Sequence, residues 1–225
     1  MADHWGVDSY DAANSSVSGQ TLFDYVTSQA GAAPSFWGRY IGGQASLTAA
    51  EVTFILNRGC LILPIYNGAT SSSVSGGYSD GVTDANNAIA AAKALNVPGG
   101  TAIYADIEAS WTPTSDWIRG WCDTMEASIY AGSGGFCGDT LEPSFNTPYC
   151  DAWNADANVQ DSYVYASEPE PGCTSASGAP ATPPCNASGT LVWQYAEVCF
   201  TGGYVDEDVA NDNGFSLMWG AQAPT

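Results

Sequence analysis

The chain has 225 residues and a mass of 23.3 kDa, room for one barrel-sized domain with a full core. Its 45% hydrophobic content argues against disorder, and four basic residues against 24 acidic ones leave no basic patch, so nucleic acid and anionic membrane surfaces are not expected partners. His4 is the only histidine and no cysteine pair has CxxC spacing, which excludes the common zinc sites and any nucleophilic centre that needs an internal histidine.

In chain order, residues 5–8 read as a first strand and 22–29 as a helix. Residues 36–41 form a second strand. Thr48, with Glu51 three positions on, caps a helix running to about Asn57. Residues 60–66 are a third strand. The alanine-rich stretch 84–95, stopped by Val97-Pro98-Gly99, is the clearest helix. A fourth strand over 101–106 precedes a helix over 114–125 that sets Trp117, Ile118, Trp121 and Cys122 on one side. Residues 128–132 read as strand five. Helices then thin out, and 162–166, 191–195 and 203–208 read as strands six to eight joined by cysteine-bearing loops. This alternation predicts an α/β chain with a parallel sheet. Eight strands without a dinucleotide glycine fingerprint favour one irregular, TIM-like (β/α) barrel over 1–225, with few helices after strand five. A doubly wound open sheet is the alternative.

Six of the seven cysteines follow residue 121, and Cys173 and Cys185 bracket a Gly/Ser/Ala/Pro-rich segment. That pattern reads as disulfide stapling of a loop insert, about 167–189, in an oxidising compartment. Cys173–Cys185 is the first pairing, Cys137–Cys150 the second and Cys122–Cys199 what remains; Cys60, opening an apolar run, reads as a buried free thiol. No signal peptide or membrane-length apolar run is seen, so the expected extracellular location rests on the cysteines. Asn14 and Asn186 fit the glycosylation sequon.

The chemistry sits in Ala102-Ile103-Tyr104-Ala105-Asp106-Ile107-Glu108, an apolar run ending in two carboxylates spaced i and i+2. On a persisting strand both face the same way, and a carboxylate pair suits acid/base work on a glycosidic bond. Other strand ends add to it: Asp8 on the first strand, Arg39 and Tyr40 on the second, Tyr66 on the third, Tyr130 on the fifth, Gln194 and Tyr195 on the seventh, Asp206 on the eighth. In a parallel barrel such termini gather around one cavity at the C-terminal face. The acidic run from Val205 to Gly214 looks calcium-like but places Val209 at the first EF-hand ligand position, so no metal is assigned and no cofactor is called for.

These same residues carry a family resemblance. Trp5-Gly6-Val7-Asp8, Phe36-Trp37-Gly38-Arg39-Tyr40-Ile41, Leu47-Thr48 with Glu51, the third strand, Val97-Pro98-Gly99-Gly100-Thr101 with Tyr104 and Asp106, and Trp193-Gln194-Tyr195 with Val205-Asp206 resemble the Rv2525c-like glycoside-hydrolase-like domain family. That family is in turn similar to the lysozyme-like family 25 glycoside hydrolases. The resemblance implies an irregular (β/α) barrel and hydrolysis of a cell-wall or related polysaccharide by a secreted monomer. Glu108 matches the proton donor, Asp106 its carboxylate neighbour, and Asp8 and Asp206 the acidic residues of the first and last strands. Arg39, Tyr40, Tyr66, Trp111, Tyr130, Gln194 and Tyr195 are the candidate substrate-binding residues, Trp111 as a stacking surface. A non-catalytic carbohydrate-binding or surface-interaction domain on the same barrel is the competing reading.

Overall fold

The structure, a computed structural model, describes residues 3–171, 176, 178–200 and 205–221. Strands β1 (Asp3–Asp8), β2 (Phe36–Ile41), β3 (Leu61–Tyr66), β4 (Tyr104–Asp106), β5 (Gly135–Gly138), β6 (Tyr163–Pro171), β7 (Thr190–Cys199) and β8 (Val205–Asn211) close in chain order into a barrel. The open-sheet alternative is therefore set aside. β1 to β7 run parallel, whereas β8 is antiparallel to both β7 and β1. The reason is length: only residues 200–204 separate β7 from β8, and a parallel return needs a crossover of about a dozen residues or more. Asp206 thus stands near the start of its strand rather than its end, and the reversal puts it on the same rim as the C-terminal ends of the others.

Among the described residues, seven α-helical segments connect the strands. α1 (Leu22–Ala30) is capped by Thr21 and closed by Gly31 at φ 76°, and α2 (Ala49–Leu56) is capped by Thr48, whose side chain accepts from Glu51 N. α3 (Ser71–Val74) leads into α4 (Tyr78–Ala94), and α5 (Ser115–Glu126) starts at the Thr114 cap. α6 (Pro143–Ala155) and α7 (Ala157–Gln160) fill the crossover between β5 and β6. A short α8 (Asp212–Ser216) follows β8.

Alternation along each strand divides the core. Phe36, Leu63, Ile65, Tyr104, Cys137 and Tyr165 pack inside the barrel, while Trp37, Ile62, Tyr66, Phe136 and the buried faces of the helices form the layer around it. Trp117, Ile118, Trp121 and Cys122 are all fully buried on α5, as its spacing predicts.

Several expectations are corrected. Strand five is Gly135–Gly138, not 128–132; the latter segment turns below it, tied by Gly100 N to Ile129 O and Ala131 N to Thr101 O. The cysteines also pair differently. Cys150 on α6 bonds Cys185, which excludes both Cys173–Cys185 and Cys137–Cys150, and Cys122 is a buried free thiol, which sets aside Cys122–Cys199. Cys173 itself lies outside the described residues. Cys60 is free and buried, as expected. Asn186 is buried and spends its amide on the Tyr149 hydroxyl (2.8 Å) and Ser162 O (3.3 Å), so its sequon serves the fold.

Candidate active site

The C-terminal ends of β1, β4 and β7 and the start of β8 surround a cavity of about 150 Å³ lined by Asp8, Tyr40, Asp106, Glu108, Tyr165, Gln194 and Asp206, among others. It opens on both sides. One recess, about 450 Å³, continues from Tyr40 and Glu108 to Tyr10, Asn67 and Trp111. Another, about 290 Å³, continues from Asp206 and Glu197 to Ser9, Asp11 and Val198. Together they form one groove across the rim with the carboxylates in its floor. A recess of about 590 Å³ at the opposite, N-terminal face, lined by Glu126, Tyr163 and Leu191, holds none of them.

Local sequence explains how each carboxylate is placed. Asp8 pairs in register with Gly38, and a Cβ at position 38 would stand 2.5 Å from the Asp8 Cβ, so glycine alone leaves room for the carboxyl to turn inward. Gln194 Nε2 donates to Asp8 Oδ2 at 2.8 Å and lies 3.3 Å from Asp206 Oδ2, while its own oxygen accepts from Ser167. Asp106 closes β4 and accepts from Asn67 Nδ2 at 2.7 Å. Asp206 accepts at 2.8 Å from the N–H of Val198. Val198 holds φ 56°, a costly conformation for a β-branched residue, and the adjoining β7–β8 pairing is bulged. Glu108 lies just past the end of β4, exposed at the lip.

The electrostatics follow from burial among like charges. Burial, with the Asp106 charge nearby, lifts Asp8 to about 6 although Tyr165 and Gln194 donate to it. Burial and then the Glu108 charge lift Asp106 to about 6 against the Asn67 hydrogen bond. Burial and Asp8 lift Asp206 to about 7, opposed by the Val198 N–H. Burial, with Asp106 and Asp8 beside it, pushes the Tyr40 hydroxyl up as well. These carboxyls therefore titrate between mildly acidic and neutral pH rather than near 4.

Of the eleven residues expected to form the site, Asp8, Asp106, Glu108, Asp206, Tyr40, Gln194 and Trp111 converge on the groove. Four do not. Arg39 points away from the barrel interior, 1% exposed, and grips Glu51 through Nε (2.6 Å) and Nη2 (3.2 Å) while donating to Ser9 O, Tyr10 O and Ala45 O. Tyr66 packs outward against Trp121 at 5.8 Å. Tyr195 packs outward beside Trp193 at 5.7 Å. Tyr130 is buried in the outer layer, on the turn beneath β5. Three of these corrections share one cause: Arg39, Tyr66 and Tyr195 each neighbour an inward residue (Tyr40, Ile65, Gln194) and so face the opposite way. Residues that sequence reasoning passed over are Tyr165, Asp208 and Asn67. The i, i+2 rule that links Asp106 with Glu108 also links Asp206 with Asp208.

A closed barrel with a carboxylate-floored groove at its C-terminal rim defines the glycoside-hydrolase-like class of (β/α) barrels. A family model for the Rv2525c-like, glycoside hydrolase-like domain matches residues 29–181, and the chain belongs to that family. Among solved structures, an uncharacterized B. stearothermophilus protein is similar at 30% identity and TM-score 0.83, over 96% of this chain and 100% of that one. The Mycobacterium tuberculosis Tat-secreted protein Rv2525c, in complex with L-tartrate, matches at 17% identity and TM-score 0.65 over 96% and 98%. The bacterial lysozyme from Streptomyces coelicolor matches at 15% identity and TM-score 0.59 over 99% and 100%, a likeness of fold. No curated protein matches the chain by sequence.

Proposed function

We propose that this protein is a secreted glycoside hydrolase that cleaves a cell-wall or related polysaccharide at the rim groove, without a metal. The observation that carries the reading is convergence: carboxylates 8, 106, 108 and 206, far apart in sequence, share one cavity. Glu108, exposed where a chain of sugars would pass, is the proton donor to the leaving oxygen. Asp106 and Asp206 stabilise positive charge developing at the anomeric carbon or orient a substituent of the sugar, and Asp8 positions its partners or water. Tyr40 supplies a hydroxyl and Trp111, in the adjoining recess, a stacking face. The lysozyme fold neighbours and the Tat-secreted relative support a wall glycan and an extracellular setting, as does the disulfide between Cys150 and Cys185.

Incubating the protein with a panel of bacterial and fungal wall polysaccharides, with reducing-end detection, tests this. New reducing ends that persist with a chelator present are expected. The exposure of Glu108 favours a second reading, a binding domain on the same barrel, since an acid catalyst is usually tuned by burial. Saturable binding with no new reducing ends would select that reading.

A further inference from the structure

Beneath the groove floor, the Tyr165 hydroxyl lies between two carboxyl groups, 2.8 Å from Asp8 Oδ2 and 2.7 Å from Asp208 Oδ1. A phenol has one hydrogen to donate, so two contacts this short need a second proton, and only a carboxyl can bring it. Asp8 Oδ2 already receives the Gln194 amide at 2.8 Å, which suits an ionised acceptor. Asp208 is fully buried, its Oδ2 receives no hydrogen bond from a donor group, and its carboxyl also lies close enough to Asp8 for the two to interact directly. An ionised carboxylate in that position would be ruinously costly, whereas the carbonyl oxygen of a neutral acid tolerates it. The titratable groups facing this pocket are Asp8 from β1, Tyr40 from β2, Asp106 and Glu108 from β4 and its end, Cys137 from β5, Tyr165 from β6, Glu197 from β7 and Asp206 from β8, with no cation among them.

We propose that Asp208 is a buried, neutral carboxylic acid that donates its hydrogen bond to Tyr165, which in turn donates to Asp8, so that Asp208 positions Asp8 and keeps it an ionised acceptor facing the groove. The chain is a directed one, acid to phenol to carboxylate, and each link strengthens the next. Asp208 is a positioning residue: it never meets the sugar. The proton assignment stands independently of the hydrolase reading; only its effect on turnover rests on that reading.

Infrared spectroscopy and pH profiles test the two halves separately. In the difference spectrum between the parent protein and Asp208→Asn at mildly alkaline pH, a protonated-carboxyl C=O band belonging to Asp208 is expected. Absence of that band would overturn the assignment whether or not the protein cleaves glycans. In kinetics, Tyr165→Phe removes a donor from Asp8, which raises the pH at which Asp8 ionises; the acid limb of kcat/KM moves upward and the plateau falls about tenfold to a hundredfold. Asp208→Ala shifts the limb the same way, and Asp208→Asn, whose amide N–H restores a donor to Tyr165, brings it back. A limb that stays put in Tyr165→Phe, or an Asp208→Asn protein that fails to fold, would count against the chain, because a neutral donor should replace a neutral donor.

Discussion

At the scale of single residues, Arg39 shows how strand parity outranks residue type. An arginine at a strand end beside an acidic site reads as a ligand-binding group, yet Arg39 is 1% exposed and its guanidinium is consumed by Glu51 and three carbonyls. Its work is to hold the Ser9–Tyr10 turn that follows Asp8 against α2. Arg39→Gln leaves Glu51 buried and unpaired, and denaturant unfolding should show a loss of roughly 3–5 kcal/mol. An unchanged midpoint would show that the pair contributes nothing. Asp8, Asp106 and Glu108 were legible because each stands at or just past the end of a strand, and Asp206 because the family resemblance picks it out; Asp208 and Tyr165 were not, because they lie deeper in the barrel, where a polar residue counts only once its neighbours are known. Phe36, Gly38 and Tyr40 point in while Trp37, Arg39 and Ile41 point out, so the sequence held the parity needed to reject Arg39, Tyr66 and Tyr195.

Among elements, the strands and capped helices were legible and the irregular ones were not. Thr48, with Glu51 three positions on, announces α2 by cap chemistry, and Trp117, Ile118, Trp121 and Cys122 announce α5 by sharing one side. α4 begins at Tyr78, ahead of the alanine-rich stretch, because Asp80 accepts from Gly77 N and Gly81 lets α5 approach: a Cβ at Gly81 would meet Trp117 O at 2.1 Å. Gly81 is a contact surface inside the helix. α6 was hidden by Pro143 and Pro148, and β5 by the glycines at both its ends, one of which clears the Tyr104 ring. Two outcomes follow at this scale. Gly38→Ala forces the Asp8 side chain aside and should cost about 1–3 kcal/mol on chemical denaturation, with loss of activity; a neutral substitution would mean that β1 and β2 are looser than their register implies. Cys150→Ser opens a loop with sequence separation 35 and should cost about 3–4 kcal/mol in the chain-entropy account. An equal stability with and without reductant would show that the bond constrains nothing.

For the whole molecule, the formal net charge of −20 and the raised carboxyls of the groove act in the same direction. Asp8, Asp106 and Asp206 titrate near 6, 6 and 7 in the folded chain against about 3.9 when unfolded. The folded state therefore binds more protons between those values, so the stability these groups contribute is complete below about pH 4 and is lost as pH rises through 6 to 7. Self-repulsion of the acidic surface adds to the loss. Thermal melts should show a Tm at pH 5 above that at pH 8 by at least roughly 5 °C; a Tm that rises over that interval would contradict the raised titration of these carboxyls.

The measurement that bears most directly on the proposed chemistry is reducing-end release from a cleaved wall glycan by the parent protein and by Glu108→Gln, at one mildly acidic pH. The account predicts a loss of about 10²–10⁴-fold in turnover for the variant, with its Tm and its binding of the same glycan retained. Equal turnover in the two proteins would remove Glu108 from the chemistry and with it the reading of the groove as a hydrolase site.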